Sequence, residues 1–122
     1  MNEGDRELLR SRLAVAFGEA VDVTPADGPP AHILLPSIEL PEPWTPSPTR
    51  ALTVWEDWPA SRPQFVIDES VVGETGEPPR SHHGAYLLGQ SWRGYSFNFT
   101  WSGDDPVRAV QLWLARFTAE RT

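Results

Sequence analysis

Prolines are concentrated in the middle of the chain, where nine of the thirteen lie between residues 28 and 63. Proline lacks a backbone N–H donor and has a fixed φ angle, so it is poorly tolerated in helix interiors and in central strands. We therefore predict a stiff, polyproline-like loop at about residues 36–49. The segments on either side are too short to fold alone. Residues 1–122 are thus predicted to form a single domain that contains this loop.

The spacing of apolar residues predicts one helix near each end of the chain. The first covers residues 5–17, with Asp5 as its N-cap and Gly18 at its C-terminal end. Its apolar positions are Leu8, Leu9, Leu13, Ala16 and Phe17. The second begins with Asp105 as the cap and Pro106 in the first helical position. Its apolar stripe consists of Val107, Val110, Trp113, Leu114 and Phe117.

Alternation of apolar and polar residues predicts about six short strands between the helices. The expected strands are residues 20–24, 31–35, 52–55, 64–68, 85–88 and 95–101, with a turn at 91–94. In the last strand one face should pack against the final helix, and this face consists of Tyr95, Phe97, Phe99 and Trp101. The predicted fold class is α+β, mainly an antiparallel β-meander flanked by an N-terminal and a C-terminal helix.

The chain carries a formal net charge of −7 and contains no cysteine. A negative surface repels nucleic-acid phosphates and anionic membranes, and it attracts a partner protein with a basic surface. The lack of cysteine excludes disulfides, thiolate metal sites and cysteine nucleophiles. The charged start of the sequence and the lack of a long apolar run indicate a cytoplasmic protein.

The main candidates for chemistry are Ser81, His82 and His83, which are adjacent in the sequence. Two histidines could bind a metal ion or transfer a proton, and a serine beside a histidine could be a nucleophile with its base. Neighbouring side chains of an extended segment point to opposite sides, so the pair is poorly suited to chelate one metal ion. A serine nucleophile usually sits on a strained elbow, and the G-x-S-x-G pattern of that elbow is missing. We therefore expect no metal, no cofactor and no enzymatic activity. A small hydrolase or transferase that uses these three residues is an alternative.

Tryptophans in predicted turns are the main candidates for binding. The candidate binding residues are Trp55, Glu56, Asp57, Trp58, His82, His83, Trp92 and Arg93. Strand alternation should bury one tryptophan of this segment, whereas Trp58, in the turn before Pro59, is either an interface anchor or a cap on the end of the core. Trp92, in the predicted turn at 91–94, presents the same two alternatives.

Several features follow one another along the chain in a characteristic order: the first helix, the meander, Pro59 and Pro63 before Phe65-Val66-Ile67, His82-His83-Gly84, Trp92 and the final helix. This order resembles that of the ubiquitin-conjugating (UBC-like) fold. His82 matches the histidine of that family's His-Pro-Asn loop. However, no asparagine follows His82, no cysteine is present to carry a thioester, and the predicted strand 95–101 is not part of that layout. The resemblance implies a non-catalytic variant that acts as a binding partner.

These observations lead us to predict a non-enzymatic protein-binding adaptor or accessory subunit with an acidic, tryptophan-containing surface. An acidic immunity or antitoxin protein that neutralises a basic toxin is the alternative, because negative charge would steer it onto a cationic surface. The identity of the partner and the oligomeric state are left open by the sequence.

Overall fold

The structure, a computed structural model, describes residues 2–26, 30–56, 63–78, 82–95 and 105–119. Its helices and strands are α1 (Glu3–Phe17), β1 (Val21–Asp22), β2 (Ala31–Ile38), β3 (Thr49–Trp55), β4 (Gln64–Asp68), β5 (His82–Leu87), β6 (Gln90–Tyr95) and α2 (Pro106–Ala119). Neither of the helices in these ranges is long and apolar enough to cross a membrane.

The six strands form one antiparallel sheet in the order β1-β2-β3-β4-β6-β5. Strands β1 to β4 follow one another as a meander. Strand β6 then lies between β4 and β5, so that β5 is at the edge of the sheet. Together with the two flanking helices, this arrangement confirms the predicted α+β class.

Both helices pack on the same face of the sheet, because side chains of α1, α2 and the three strands β2, β3 and β4 belong to one buried cluster. The sheet contributes alternate residues of its central strands to this cluster, and these include Ile33, Leu35, Ala51, Trp55, Phe65 and Ile67. A second cluster lies on the opposite face and consists of Leu52, Val54, Val66 and Trp92. We call this second face of the sheet the open face, because no described helix packs on it.

Helix α1 begins two residues before the predicted start, so the prediction of Asp5 as its N-cap is wrong. The cap is Asn2, whose side-chain Oδ1 accepts a hydrogen bond from the backbone N–H of Asp5 at 2.8 Å. Gly18 ends the helix as predicted, with a φ of 89° that favours glycine. Leu9 and Leu13 are buried, whereas Leu8 is 45% exposed and does not belong to the core.

Helix α2 begins as predicted. Asp105 Oδ1 accepts a hydrogen bond from the backbone N–H of Arg108 at 2.9 Å, and Pro106 occupies the first helical position. The predicted apolar stripe faces the sheet: Val110, Trp113 and Phe117 are at most 1% exposed. Val107 and Leu114 are half-buried and pack against the same cluster.

The proline-rich segment is shorter than predicted and is folded onto the core. Strand β2 continues through Pro36 to Ile38, and β3 begins at Thr49, which leaves residues 39–48 as the loop. The peptide bonds before Pro43, Pro46 and Pro48 are cis. Trp44 is 2% exposed, and its indole Nε1 donates a hydrogen bond to the Phe117 carbonyl at 2.7 Å. This segment is therefore part of the packed domain rather than an extended polyproline connection.

The prediction of a turn at residues 91–94 is wrong, because these residues lie inside β6. All four pair with β5, and residues 92–94 pair with β4 as well. The turn is two residues long, Leu88 and Gly89, with φ angles of 54° and 73°. Leucine is unusual at a positive φ, so residue type alone does not indicate this turn. The predicted strand 95–101 lies outside the described residues beyond Tyr95, and this includes Phe97, Phe99 and Trp101.

Candidate functional site

The structure places the first tryptophan of the predicted binding cluster in the core. Trp55 is fully buried at the end of β3, where its Nε1 donates to Thr53 Oγ1 at 2.8 Å and its ring contacts Phe65 edge-on. It therefore presents no surface to a partner. Glu56 follows it and is exposed, while Asp57 and Trp58 lie outside the described residues.

Trp92 and Arg93 are also located differently from the prediction, since both belong to β6 rather than to a turn. Trp92 is 3% exposed on the open face, and its Nε1 donates to the Leu87 carbonyl at 3.2 Å. Arg93 points to the helix side of the sheet, where its Nη1 donates to the Val71 carbonyl at 3.3 Å. The two side chains are on opposite faces and do not form one surface.

The histidine pair lies on β5 with its side chains on opposite faces, as the alternation of a strand requires. His82 is opposite Tyr95, whereas His83 is opposite Gly94, and the His83 ring lies against the space that a side chain at Gly94 would occupy. Ser81 lies outside the described residues. Within the described ranges, no group of three or more histidine, aspartate and glutamate side chains is placed to hold a metal ion.

A groove of about 250 Å³ crosses the open face beside the β5–β6 turn. Its lining residues are Val23, Leu34, Arg50, Leu52, Leu88, Gln90 and Trp92. The Arg50 guanidinium lies 4.2 Å from the centre of the Trp92 ring, its Nε donates to Asp68 Oδ2 at 2.7 Å, and its Nη1 donates to Gln90. Sequence reasoning gave no role to Arg50 or Leu88, because only the register of β3, β6 and the turn brings them together.

Hydrogen bonds from Ser70 and Arg50 favour the ionised form of the Asp68 carboxyl group. Partial burial of Asp68 opposes ionisation, but the hydroxyl and backbone N–H of Ser70 donate to one of its oxygens and Arg50 donates to the other. The net result is a pKa of Asp68 below its ordinary value. This ion pair fixes the guanidinium of Arg50 at the rim of the groove.

Two acidic loops lie side by side at one end of the sheet. Strand β2 ends where the loop 39–48 begins. Strand β4 runs in the same direction as β2, because both are antiparallel to β3, so it ends at the same side, where residues 69–78 follow. The two loops are joined by reciprocal backbone hydrogen bonds between Thr45 and Val72, of 2.9 and 2.8 Å. Five exposed glutamates are carried by these loops: Glu39, Glu42, Glu69, Glu74 and Glu77. We call this part of the molecule the acidic end.

Both helices also end at the acidic end. The bond from Trp44 to the Phe117 carbonyl places the last turn of α2 against loop 39–48. A groove of about 430 Å³ lies between the two helix ends and the end of β2. It is lined by Ala16, Phe17, Ser37, Ile38, Glu39, Pro48 and Leu114. This inter-helix groove is mainly apolar and has a carboxylate at its rim, a combination suited to an apolar side chain flanked by cations.

No protein-family model, curated protein or solved structure matches this chain at a significant level. The resemblance to the ubiquitin-conjugating fold therefore stays a prediction.

Proposed function

We propose that this protein is a non-enzymatic adaptor that binds a basic partner protein at its acidic end. The observation that carries the proposal is that Glu39 and Pro48, the first and last residues of loop 39–48, line the inter-helix groove, so the groove opens at the acidic end. A partner would insert an apolar side chain between Phe17 and Leu114 and place arginines or lysines against the two loops. Such a pairing of an apolar anchor with a charged rim is typical of protein interfaces.

The five glutamates of the acidic end are free to pair with a cationic partner. Among the described residues, none of the five glutamates forms a salt bridge. Helix C-terminal ends carry partial negative charge, and α1 has no basic residue in its last turn, while α2 has Arg116. The net charge of −7 adds a long-range field of the same sign. A basic surface would therefore be attracted before contact and held by charge pairs after it.

The groove supplies what charge alone lacks, namely a defined position for the partner. Exposed ion pairs contribute only about 0–1 kcal/mol each, so an acidic surface without an anchor would bind weakly and with little specificity. Ile38 and Pro48 provide apolar walls between the helix ends. The buried Trp55 and Trp92 stabilise the fold instead, and the proposal no longer assigns them to the contact surface.

The test uses one residue that lines the groove and its exposed neighbour on the same helix turn. Ala16→Arg places a cation and a long side chain in the groove, whereas Val15→Arg adds the same charge at a residue that is 90% exposed and outside it. Each tagged variant and the wild type are used to capture partners from native extract. We expect a basic protein to be retained by wild type and Val15→Arg and lost with Ala16→Arg.

A second measurement uses a defined probe, a short arginine-rich peptide with a central leucine, titrated by calorimetry. Replacing Glu39 and Glu42 with glutamine should weaken its binding about tenfold, because two favourable surface charge interactions are removed. The matched control replaces Glu3 and Glu56, which are exposed and lie outside the acidic loops. Equal losses in the two double variants, or equal capture by the two arginine variants, would contradict the proposed site.

The acidic end also supports the narrower hypothesis of an immunity or antitoxin protein. Its ligand would be a toxin with a cationic surface, such as one that itself binds phosphate backbones. Association should then be fast at low salt and slow steeply as salt is added, because steering depends on unscreened charge. The hypothesis requires that the captured protein be toxic when expressed alone and harmless when co-expressed with the wild type. A captured protein without toxicity would rule it out.

A further inference from the structure

Strand β5 forms one edge of the sheet, and it is regular over its whole length. All six residues from His82 to Leu87 pair with β6 in continuous register, without a bulge. On its other side β5 has no partner strand among the described residues. Edge strands expose unpaired backbone N–H and C=O groups, which can pair with a further strand.

The devices that usually protect such an edge are missing from β5. Its sequence, HHGAYL, contains no lysine, arginine, aspartate, glutamate or proline. The strand at the opposite edge, β1, is protected by its length and by its charge. It has only two residues, and one of them is Asp22, which forms a salt bridge with Arg6. Within the part of the chain that the structure describes, the two edges of the sheet are therefore not equivalent, and β5 is the better suited to strand addition.

Two exposed apolar side chains also lie at this edge. The large apolar side chains that are exposed in the described ranges are Leu8, Val15, Val21, Tyr86 and Leu88. Tyr86, on β5, is 73% exposed, and Leu88, in the adjacent turn, is 39% exposed. Tyr86 points to the helix side of the sheet, but it pairs with Ser91 at a position that neither helix covers. A second strand beside β5 would cover this side chain.

We propose that β5 pairs antiparallel with β5 of a second copy of this chain, which forms a symmetric dimer with a continuous sheet of twelve strands. Opposite residues of an antiparallel pair share a face, so the two-fold axis must pass through Gly84 or through Ala85. Whichever of these two residues lies at the axis, the pairing brings no lysine, arginine, aspartate or glutamate side chains opposite one another, because β5 contains none of these residues. Another acidic chain can thus approach at this edge, whereas elsewhere the charge of −7 opposes self-association.

This dimer differs from the proposed contact with a basic partner in the sign of its salt dependence. Two chains of the same net charge repel, so added salt should strengthen the dimer by screening. Binding of a basic partner at the acidic end should weaken with salt. The two proposals use different parts of the molecule and can fail independently.

The test measures the mass of the untagged protein by sedimentation equilibrium at concentrations up to about 1 mM, at low and high salt. We expect a monomer–dimer equilibrium that shifts to dimer with salt. Amide hydrogen exchange should slow in residues 82–87 as the concentration rises, while β1 stays unchanged. A chain that remains monomeric over this range, including one whose β5 accepts a strand only from another protein, would overturn the proposal.

Two variants localise the contact. Tyr86→Lys should weaken the dimer at least tenfold, because each copy would bring a charge to the paired strands. Val21→Lys makes the same charge change on an exposed residue of β1 and should leave the dimer intact. Since Tyr86 is largely exposed, its replacement should preserve the fold, which circular dichroism checks. Equal dimer affinities in the two variants would place the interface elsewhere.

Discussion

Replacement of Trp44 with alanine should lower the free energy of unfolding by about 3–5 kcal/mol. The indole is 2% exposed and lies edge-on to the Phe117 ring, with centroids 5.5 Å apart. Removing it would leave a large cavity between loop 39–48 and α2, and it would remove the hydrogen bond from the indole to the Phe117 carbonyl. Both losses fall on the core, so the effect should be far larger than that of a surface substitution.

A second variant separates packing from hydrogen bonding. Trp44→Phe keeps most of the apolar contact but removes the Nε1 donor, and it should cost about 0.5–1.5 kcal/mol, the net contribution of a typical hydrogen bond. Urea denaturation followed by far-ultraviolet circular dichroism measures both values without relying on tryptophan fluorescence. Val15→Ala, at a residue 90% exposed, serves as the control and should change stability by less than about 0.5 kcal/mol. A Trp44→Ala cost below about 1 kcal/mol would refute the conclusion that this loop belongs to the core.

Two further predictions concern pH and backbone conformation. The folded-state pKa of Asp68 lies below its unfolded value, so the ionised carboxylate stabilises the folded protein. This contribution is present at neutral pH and is lost as the pH falls through the folded-state pKa. Asp68→Asn should therefore be less stable than wild type at neutral pH, with the difference in urea midpoint shrinking below about pH 4; a constant difference would contradict this. Leu88→Asn should stabilise the protein by about 0.5–1 kcal/mol, because asparagine tolerates the positive φ of 54° better than leucine. A lower thermal midpoint would show instead that the contacts of Leu88 in the open-face groove outweigh the backbone strain.

Elements with local signals could be predicted from the sequence. Asp105 and Pro106 determine the start of α2 through bonds within one helical turn, and the apolar stripe of α2 determines its buried face. The boundaries of β4 were also predicted correctly, because a short apolar run there is bounded by polar residues. In these cases the physical cause lies within a few residues of the feature.

Features that depend on distant pairing could not be predicted in the same way. Ser91 and Gly94 have the composition of a turn, yet pairing of β6 with strands on both sides makes them part of a central strand. Trp44 lies among prolines, and only the α2 carbonyl that it contacts, seventy-three positions away, explains its burial. The acidic end combines loops whose proximity follows from the order of the strands. Composition gave the sign of the charge but not its location.

The position of β6 between β4 and β5 has a consequence for the folding rate. The β5–β6 hairpin closes through a two-residue turn, and such hairpins form in about 1–10 µs. Its attachment to the rest of the sheet requires Val66 to find Gly94, and the packing of α1 against α2 joins segments from opposite ends of the chain. These steps close long loops before they gain contacts, so they should limit the rate. We expect the docking of this hairpin, rather than its formation, to be the slow event, and its detachment from β4 to be the first step of unfolding.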